Sequence, residues 1–292
     1  MTKQSWTILS LLTWSTEYLQ EKHFENPRLN VELLLSHSLN ITRVQLYVQF
    51  EKPLTETELA NFKKLFQRRL QHEPLQYIIG ETEFYGLKFF VDERVLIPRP
   101  ETEILIEEVI QQSKTFPEKE IINILDIGTG SGNIAITLAE HILNANIIAI
   151  DISNNALDVA KENARRNEVE TKVEFLCDDL FNLKSEIKNL KFDILVSNPP
   201  YISEEEFSFL QPEIKNYEPT IATTDNSDGL SFYRRISDLG KERLSENGMI
   251  IVEVAYNQSE RVKNIFANAG YKNISTRKDY NGIERIVTGM RN

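Results

Sequence analysis

Ile124-Leu125-Asp126-Ile127-Gly128-Thr129-Gly130-Ser131-Gly132 is the stretch on which the fold turns. A short apolar run breaks into three glycines, each two residues from the next, and a helical pattern follows over 133–141. This reads as a buried strand ending in a sharp turn, because glycine alone lets the backbone bend this tightly and approach a ligand closely. In doubly wound α/β sheets, that carboxyl edge is where nucleotide-like ligands bind. Further strands are expected near 121–127, 146–151, 172–177, 192–197 and 249–254. Helices are expected near 101–111, 133–141, 154–167, 230–244 and 258–269. Such alternation implies a parallel sheet covered on both faces. Two closing strand-like pieces, 272–277 and 284–288, flank the tight-turn dipeptide Asn281-Gly282, so the sheet should end antiparallel.

Upstream of residue 76 only helical signals occur. Ile8, Leu11, Leu12, Tyr18 and Leu19 recur at helical spacing, and Asn26-Pro27 offers an N-cap with a first-turn proline. A short helix follows Thr42. Thr55 with Glu58 makes a capping box ahead of the stripe Leu59, Phe62, Leu65, Phe66 and Leu70, completing a four-helix bundle. From Tyr77 the pattern alternates around Gly86, through Phe84, Leu87, Phe89 and Val91, as in a β-hairpin. Pro98 and Pro100 then forbid a continuing ladder, and a hinge is expected there. The expected domains are a bundle at 1–75, a hairpin linker at 76–100 and a catalytic domain at 101–292.

Composition narrows the function. Against 44 Asp and Glu stand 33 Lys and Arg, and the net charge of −11 repels polyanions, so a nucleic-acid binder is disfavoured. Lys63, Lys64, Arg68 and Arg69 read as one solvated basic face. A single cysteine, Cys177, excludes an intrachain disulfide, and His23, His37, His72 and His141 fall at no metal-binding spacing, so no metal is expected. No apolar run is long enough for a membrane, and residues 1–20 lack a signal-peptide core; a cytoplasmic protein is expected.

The glycine spacing departs from the dinucleotide fingerprint, since Asn133 stands three residues after Gly130, and no phosphate-loop lysine is present. Asp126 also lies within the motif, where a pyrophosphate would meet its negative charge. A phosphate-free cation such as S-adenosylmethionine suits the loop better. Asp151 ends the second strand, where a carboxylate can accept from both ribose hydroxyls; the lesser alternative is a cap for the helix that begins near Asn154. Asp178-Asp179-Leu180-Phe181 closes the third strand: Asp179 could hold an adenine amine while Leu180 packs on the ring, or the segment is a plain acidic turn.

Ser197-Asn198-Pro199-Pro200-Tyr201 ends the fourth strand. Two consecutive prolines carry no amide hydrogen, so neighbouring carbonyls are free to point into a cleft. The Asn198 side-chain oxygen and the Pro199 carbonyl would together accept both hydrogens of a planar NH2 group, with Tyr201 stacked on it. Methyl transfer to such a nitrogen rests on alignment and on support for developing positive charge.

These residues resemble the HemK/PrmC protein-glutamine methyltransferases. The likeness runs from Glu73-Pro74-Leu75-Gln76-Tyr77-Ile78 and Glu83-Phe84-Tyr85-Gly86-Leu87 through the LIPRPETE segment of residues 96–103. It continues through the glycine loop and NPPY to Tyr217-Glu218-Pro219 and Lys278-Asp279-Tyr280-Asn281-Gly282. The resemblance implies a class I S-adenosylmethionine-dependent methyltransferase: Rossmann-like α/β, a seven-stranded sheet with an antiparallel last strand, behind a small helical bundle and a β-hairpin linker. It implies that the substrate is the Gly-Gly-Gln glutamine of class I peptide chain release factors; from its position the bundle is expected to recognise that substrate, and a monomeric enzyme is expected. Asp126, Gly128, Thr129, Gly130, Ser131, Gly132, Asp151, Asp179, Leu180 and Asn198 would hold the cofactor. Asn198, Pro199, Pro200 and Tyr201 would bind substrate and perform catalysis. The alternative is an exocyclic-amine methyltransferase acting on nucleic acid. Asn247-Gly248, Ala255 and the polar stretch 221–227 depart from the family pattern, which leaves the substrate loop open.

Overall fold

The computed structural model describes residues 6–116, 118–184, 187 and 189–292, in two compact units that divide after Gly80. The first unit is helical: α1 (Ile8–Glu21), α2 (Pro27–Leu39), α3 (Arg43–Val48), α4 (Glu56–Leu70) and α5 (Leu75–Ile79). Thr7, Thr42 and Thr55 each open a helix with a reciprocal capping box, which satisfies amides that would otherwise lack partners. Ile8, Leu12, Leu34, Leu35, Leu46 and Phe62 meet in its core.

Three expectations change here. Asn26 precedes α2 as foreseen but makes no side-chain cap, because its left-handed backbone (φ 47°) departs from the extended conformation an N-cap uses; its carbonyl accepts from Asn30 instead. Arg69 leaves the expected solvated face. It is 3% exposed and donates to Asn30 Oδ1 at 2.6 Å and to the Glu73 carbonyl at 3.1 Å, stacked over Phe24, since it shares the buried side of α4 with Phe62 and Phe66. Tyr77 and Ile78, read as the start of alternation, lie in α5, and Gly80 (φ 82°) ends that helix.

The second unit opens with the hairpin β1 (Glu81–Phe84) and β2 (Leu87–Phe90), turned by Tyr85 and Gly86 at positive φ. After a 3₁₀ turn at Pro100–Thr102 come α6 (Glu103–Ser113), β3 (Ile122–Ile127), α7 (Asn133–His141), β4 (Ala145–Asp151), α8 (Asn154–Arg166), β5 (Val173–Cys177) and β6 (Phe192–Ser197). Three short helices follow: α9 (Glu204–Phe207), α10 (Pro212–Tyr217) and α11 (Thr220–Thr223). The unit closes with α12 (Ser231–Arg243), β7 (Leu244–Glu253), α13 (Ser259–Asn268), β8 (Lys272–Lys278) and β9 (Glu284–Met290). The sheet order is β5-β4-β3-β6-β7-β9-β8, parallel except for β9, which runs antiparallel to β7 and β8. A tight turn forces that reversal: Asp279 accepts from the amides of Asn281 and Ile283. The expected hinge at Pro98–Pro100 falls inside this unit, with Ile97 at 2% exposure in its packing.

Register places the site. Ile127 pairs with Ile150 on one side and Ser197 on the other, while Asp151 pairs with Cys177. The glycine turn, Asp151, Asp178 and Asn198 therefore leave the sheet at one level, at its carboxyl edge.

Candidate active site

The glycine turn faces open space. Gly128 (φ 74°) and Gly130 (φ 54°) hold conformations that L side chains rarely adopt, and a Cβ on either would meet nothing within 4 Å. Gly132 (φ 81°) serves packing instead: its Cβ would lie 2.8 Å from Ile136 and 3.1 Å from Ala160, so it lets α7 and α8 close on each other. Thr129 and Ser131 are buried in the turn and border a neighbouring recess with Leu96, Ile97 and Arg99.

Asp126 does not border the cleft. Its fully buried carboxylate accepts from the Thr129 hydroxyl at 2.6 Å. Burial pushes this carboxyl up to about 7, with Asp151 adding to the effect. It braces the turn from below. Asp151 lies at the rim, where Oδ2 accepts from the Gly130 amide at 2.9 Å and Oδ1 from the Ser153 amide at 2.9 Å. Ser153, rather than Asp151, caps α8 through its own hydroxyl. Asp178 ties down the next loop by accepting from the amides of Asp179 and Lys184, and Asp179 accepts from the Phe181 amide at 2.9 Å.

The cleft has a volume of about 160 Å³, roughly ten times what one water needs, which marks it as a ligand site. Leu96, Ile152, Leu180, Phe181, Ile221 and Phe232 give it apolar walls, and Phe181 meets Phe232 edge-on at 5.1 Å. Its charged lining is Asp151, Asp178 and Asp179, with no Lys, Arg or His among the described residues. Three carboxylates and an open-faced glycine turn fit a cationic nucleoside without phosphate and oppose a dinucleotide. S-adenosylmethionine meets that requirement. Of the expected cofactor residues, Gly128, Gly130, Asp151, Asp179, Leu180 and Asn198 border this cleft, whereas Asp126 and Gly132 support it from behind.

Asn198 and Pro199 border both this cleft and an adjoining chamber formed with Arg99, Tyr201, Ile202, Ile214 and Glu218. Pro200 faces the cleft alone and Tyr201 the chamber alone. Asn198 Nδ2 donates to Thr102 Oγ1 at 3.1 Å, while Oδ1 makes no hydrogen bond within the described residues. Beside it, Glu218 is nearly buried and accepts from Arg99 at 2.6 Å. Burial raises the Glu218 carboxyl and Arg99 opposes the rise. The Tyr201 carbonyl accepts from Gln258 Nε2 at 2.8 Å, and Gly229 (φ 76°) packs so closely that a Cβ there would stand 2.5 Å from the same carbonyl. Asp225 orders the segment behind: it accepts from the amides of Ser227, Gly229 and Ser231, which gives the 221–227 stretch a defined shape.

Sequence reasoning passed over Leu96, Phe181, Phe232, Thr102, Glu253 and Asn163. Leu96 and Thr102 sit inside the LIPRPETE segment and Phe181 beside Leu180, so local signals existed for those three. Asn163 gave none. It is wholly buried on α8, donating to the carbonyls of Ser131 (2.9 Å) and Phe90 (3.0 Å) and accepting from the Phe90 amide (2.7 Å), and so joins the hairpin to the glycine turn.

A parallel sheet with its last strand inserted antiparallel, a glycine turn after β3, an acid closing β4 and an asparagine–proline end to β6 define a class I methyltransferase. Two family models match: the PrmC N-terminal domain over residues 10–80 and a methyltransferase domain over residues 118–273. The release factor glutamine methyltransferase of Geobacter sulfurreducens is 42% identical over 97% of this chain and 96% of its own. That of Chlorobaculum tepidum is 40% identical over 98% and 97%. Among solved structures, a methyltransferase from Pyrococcus furiosus superposes with a TM-score of 0.51 at 17% identity, covering 77% of this chain and 96% of that one, a likeness of fold alone. The chain belongs to the release factor glutamine methyltransferase family and is an S-adenosylmethionine-dependent methyltransferase.

Proposed function

We infer that this enzyme methylates the side-chain amide nitrogen of the glutamine in the Gly-Gly-Gln motif of class I peptide chain release factors, acting as a monomer in the cytoplasm. One observation carries the reading: Asn198 and Pro199 form the wall shared by the acidic cleft and the Arg99–Glu218 chamber, so a nitrogen held from the chamber lies beside the cofactor. When bound, S-adenosylmethionine supplies a methyl group on a sulfonium centre. Asp151 would hold its ribose, Asp179 and Leu180 its adenine, and Gly128 and Gly130 the backbone approach. Asn198 Oδ1 and the Pro199 carbonyl accept the two amide hydrogens and turn the nitrogen lone pair toward the cleft. Both oxygens gain in effect as the nitrogen becomes positive, and the resulting cation is acidic enough to need no strong base. The helical unit, whose family model is the PrmC N-terminal domain, is assigned to recognition of the release factor.

Net charge and the naming of the relatives both favour a protein substrate over a nucleic-acid amine. Neither a long apolar helix nor any other membrane-crossing helix occurs among the described residues. Incubation of a release factor with isotopically methyl-labelled cofactor, followed by peptide mass spectrometry, tests the reading. One methyl group should appear on the Gly-Gly-Gln glutamine and vanish when that glutamine is alanine. Labelling at another residue, or of nucleic acid instead, would overturn it.

A further inference from the structure

Asn198 is useful to an NH2 group only with its oxygen toward the cleft, yet a carboxamide is nearly symmetric in shape and could sit either way round. What breaks the symmetry lies behind it. Asn198 Nδ2 donates to Thr102 Oγ1 at 3.1 Å, and Thr102 is 1% exposed; the pairing of Ser197 with Val252 sets Glu253, at the end of β7, beside Asn198, and both side chains, Thr102 the more, favour the charged Glu253 carboxylate. Glu253 is 2% exposed, and its Oε2 has no hydrogen-bond partner among the described residues.

Resting on the function inferred above, we propose that Glu253 is a positioning residue for methyl transfer, which acts through the Thr102 hydroxyl to orient the Asn198 carboxamide. A carboxylate only accepts hydrogen bonds. It therefore draws the Thr102 hydrogen toward itself, which leaves Thr102 Oγ1 able only to accept from its other neighbour. That neighbour must present a donor, so Nδ2 faces inward and Oδ1 faces the acceptor nitrogen. A neutral group at position 253 removes the bias, because Thr102 can then donate to Asn198 Oδ1 and the amide turns over. The groups facing Glu253 are Arg285 from β9, Glu101 beside Thr102, Tyr201 from the β6 end, and Tyr233 from α12, whose hydroxyl bonds the Glu253 carbonyl rather than its carboxylate. Arg285 favours the charged form, Glu101 opposes it, and burial dominates, bringing the carboxyl up to about 7.

Single-turnover methylation of a release factor by the full chain, with S-adenosylmethionine binding measured by calorimetry, tests the proposal. Glu253→Gln and Thr102→Val should each slow transfer by about tenfold to a hundredfold while cofactor affinity stays within threefold, as expected for a misaligned acceptor. The double variant should be no slower than the worse single one, and Thr102→Ser, which keeps the hydroxyl, should restore the rate lost in Thr102→Val. The wild-type rate should also fall between pH 8 and pH 6, and Thr102→Val should lose that dependence. Near-normal rates in both single variants, multiplying effects in the double, or an unchanged acid limb in Thr102→Val would overturn the proposal. Absence of labelling by the wild-type enzyme would instead refute the assigned substrate.

Discussion

Replacing Asn163 with alanine removes one carboxamide and strands three backbone groups: the Phe90 amide, the Phe90 carbonyl and the Ser131 carbonyl. A buried polar group without a partner costs about 1–3 kcal/mol; with the Phe90 pair only partly buried, the total should be about 3–5 kcal/mol. For a unit of this size each kcal/mol lowers Tm by about 2–4 °C, so melting should fall by roughly 10 °C. Because the same amide holds the glycine turn, S-adenosylmethionine affinity should drop several-fold. Urea titration and far-UV circular dichroism read the stability, and calorimetry reads the affinity. Asn163→Asp provides a chemical check: the carboxylate can still accept from Phe90 but points an oxygen at two carbonyls. It should be at least as damaging as alanine at pH 8 and milder once protonated. A loss below about 1 kcal/mol with unchanged cofactor affinity would refute the claim that Asn163 joins hairpin and turn.

Gly229→Ala would force a left-handed alanine and push its Cβ against the Tyr201 carbonyl, costing about 2 kcal/mol or more; methylation should fall at least tenfold by radiolabel assay, with cofactor binding largely kept. Asp151→Asn keeps one acceptor oxygen but sets an NH2 group toward the Gly130 or Ser153 amide. The Kd for S-adenosylmethionine should therefore rise about tenfold, a loss of about 1.4 kcal/mol. Asp126 is raised on folding from 3.8 to about 7, so the folded protein holds this proton more tightly than the unfolded chain. Stability is therefore lost as pH rises through that window. Relative to Asp126→Asn, the wild type should lose about 2–4 kcal/mol between pH 4 and pH 8 in urea titrations; a flat difference would count against the shift.

The alternation of strands and helices was legible because each buried parallel strand must be continuously apolar and each covering helix must show one apolar face. Residues 124–132 and 197–201 were legible for a related reason: glycines and prolines restrict the backbone wherever they stand. Asn26 misled because a capping residue type does not guarantee capping geometry, and Arg69 because a charge on a helix says nothing of which face carries it. Asn26 depended on its own backbone angle, and Arg69 on Asn30, 39 residues away in the chain.

By itself the sequence determined where the chain turns, which segments are buried, and that an acidic glycine loop and an asparagine–proline strand end are present, since those follow from local backbone freedom and side-chain polarity. Only the tertiary structure decided that Ile127 lies beside Ser197, that Asp126 braces the loop instead of facing the ligand, and that Thr102 and Glu253 stand behind Asn198. Strand register and the partners of a buried polar group are set by packing between segments far apart in the chain, and no local pattern encodes them.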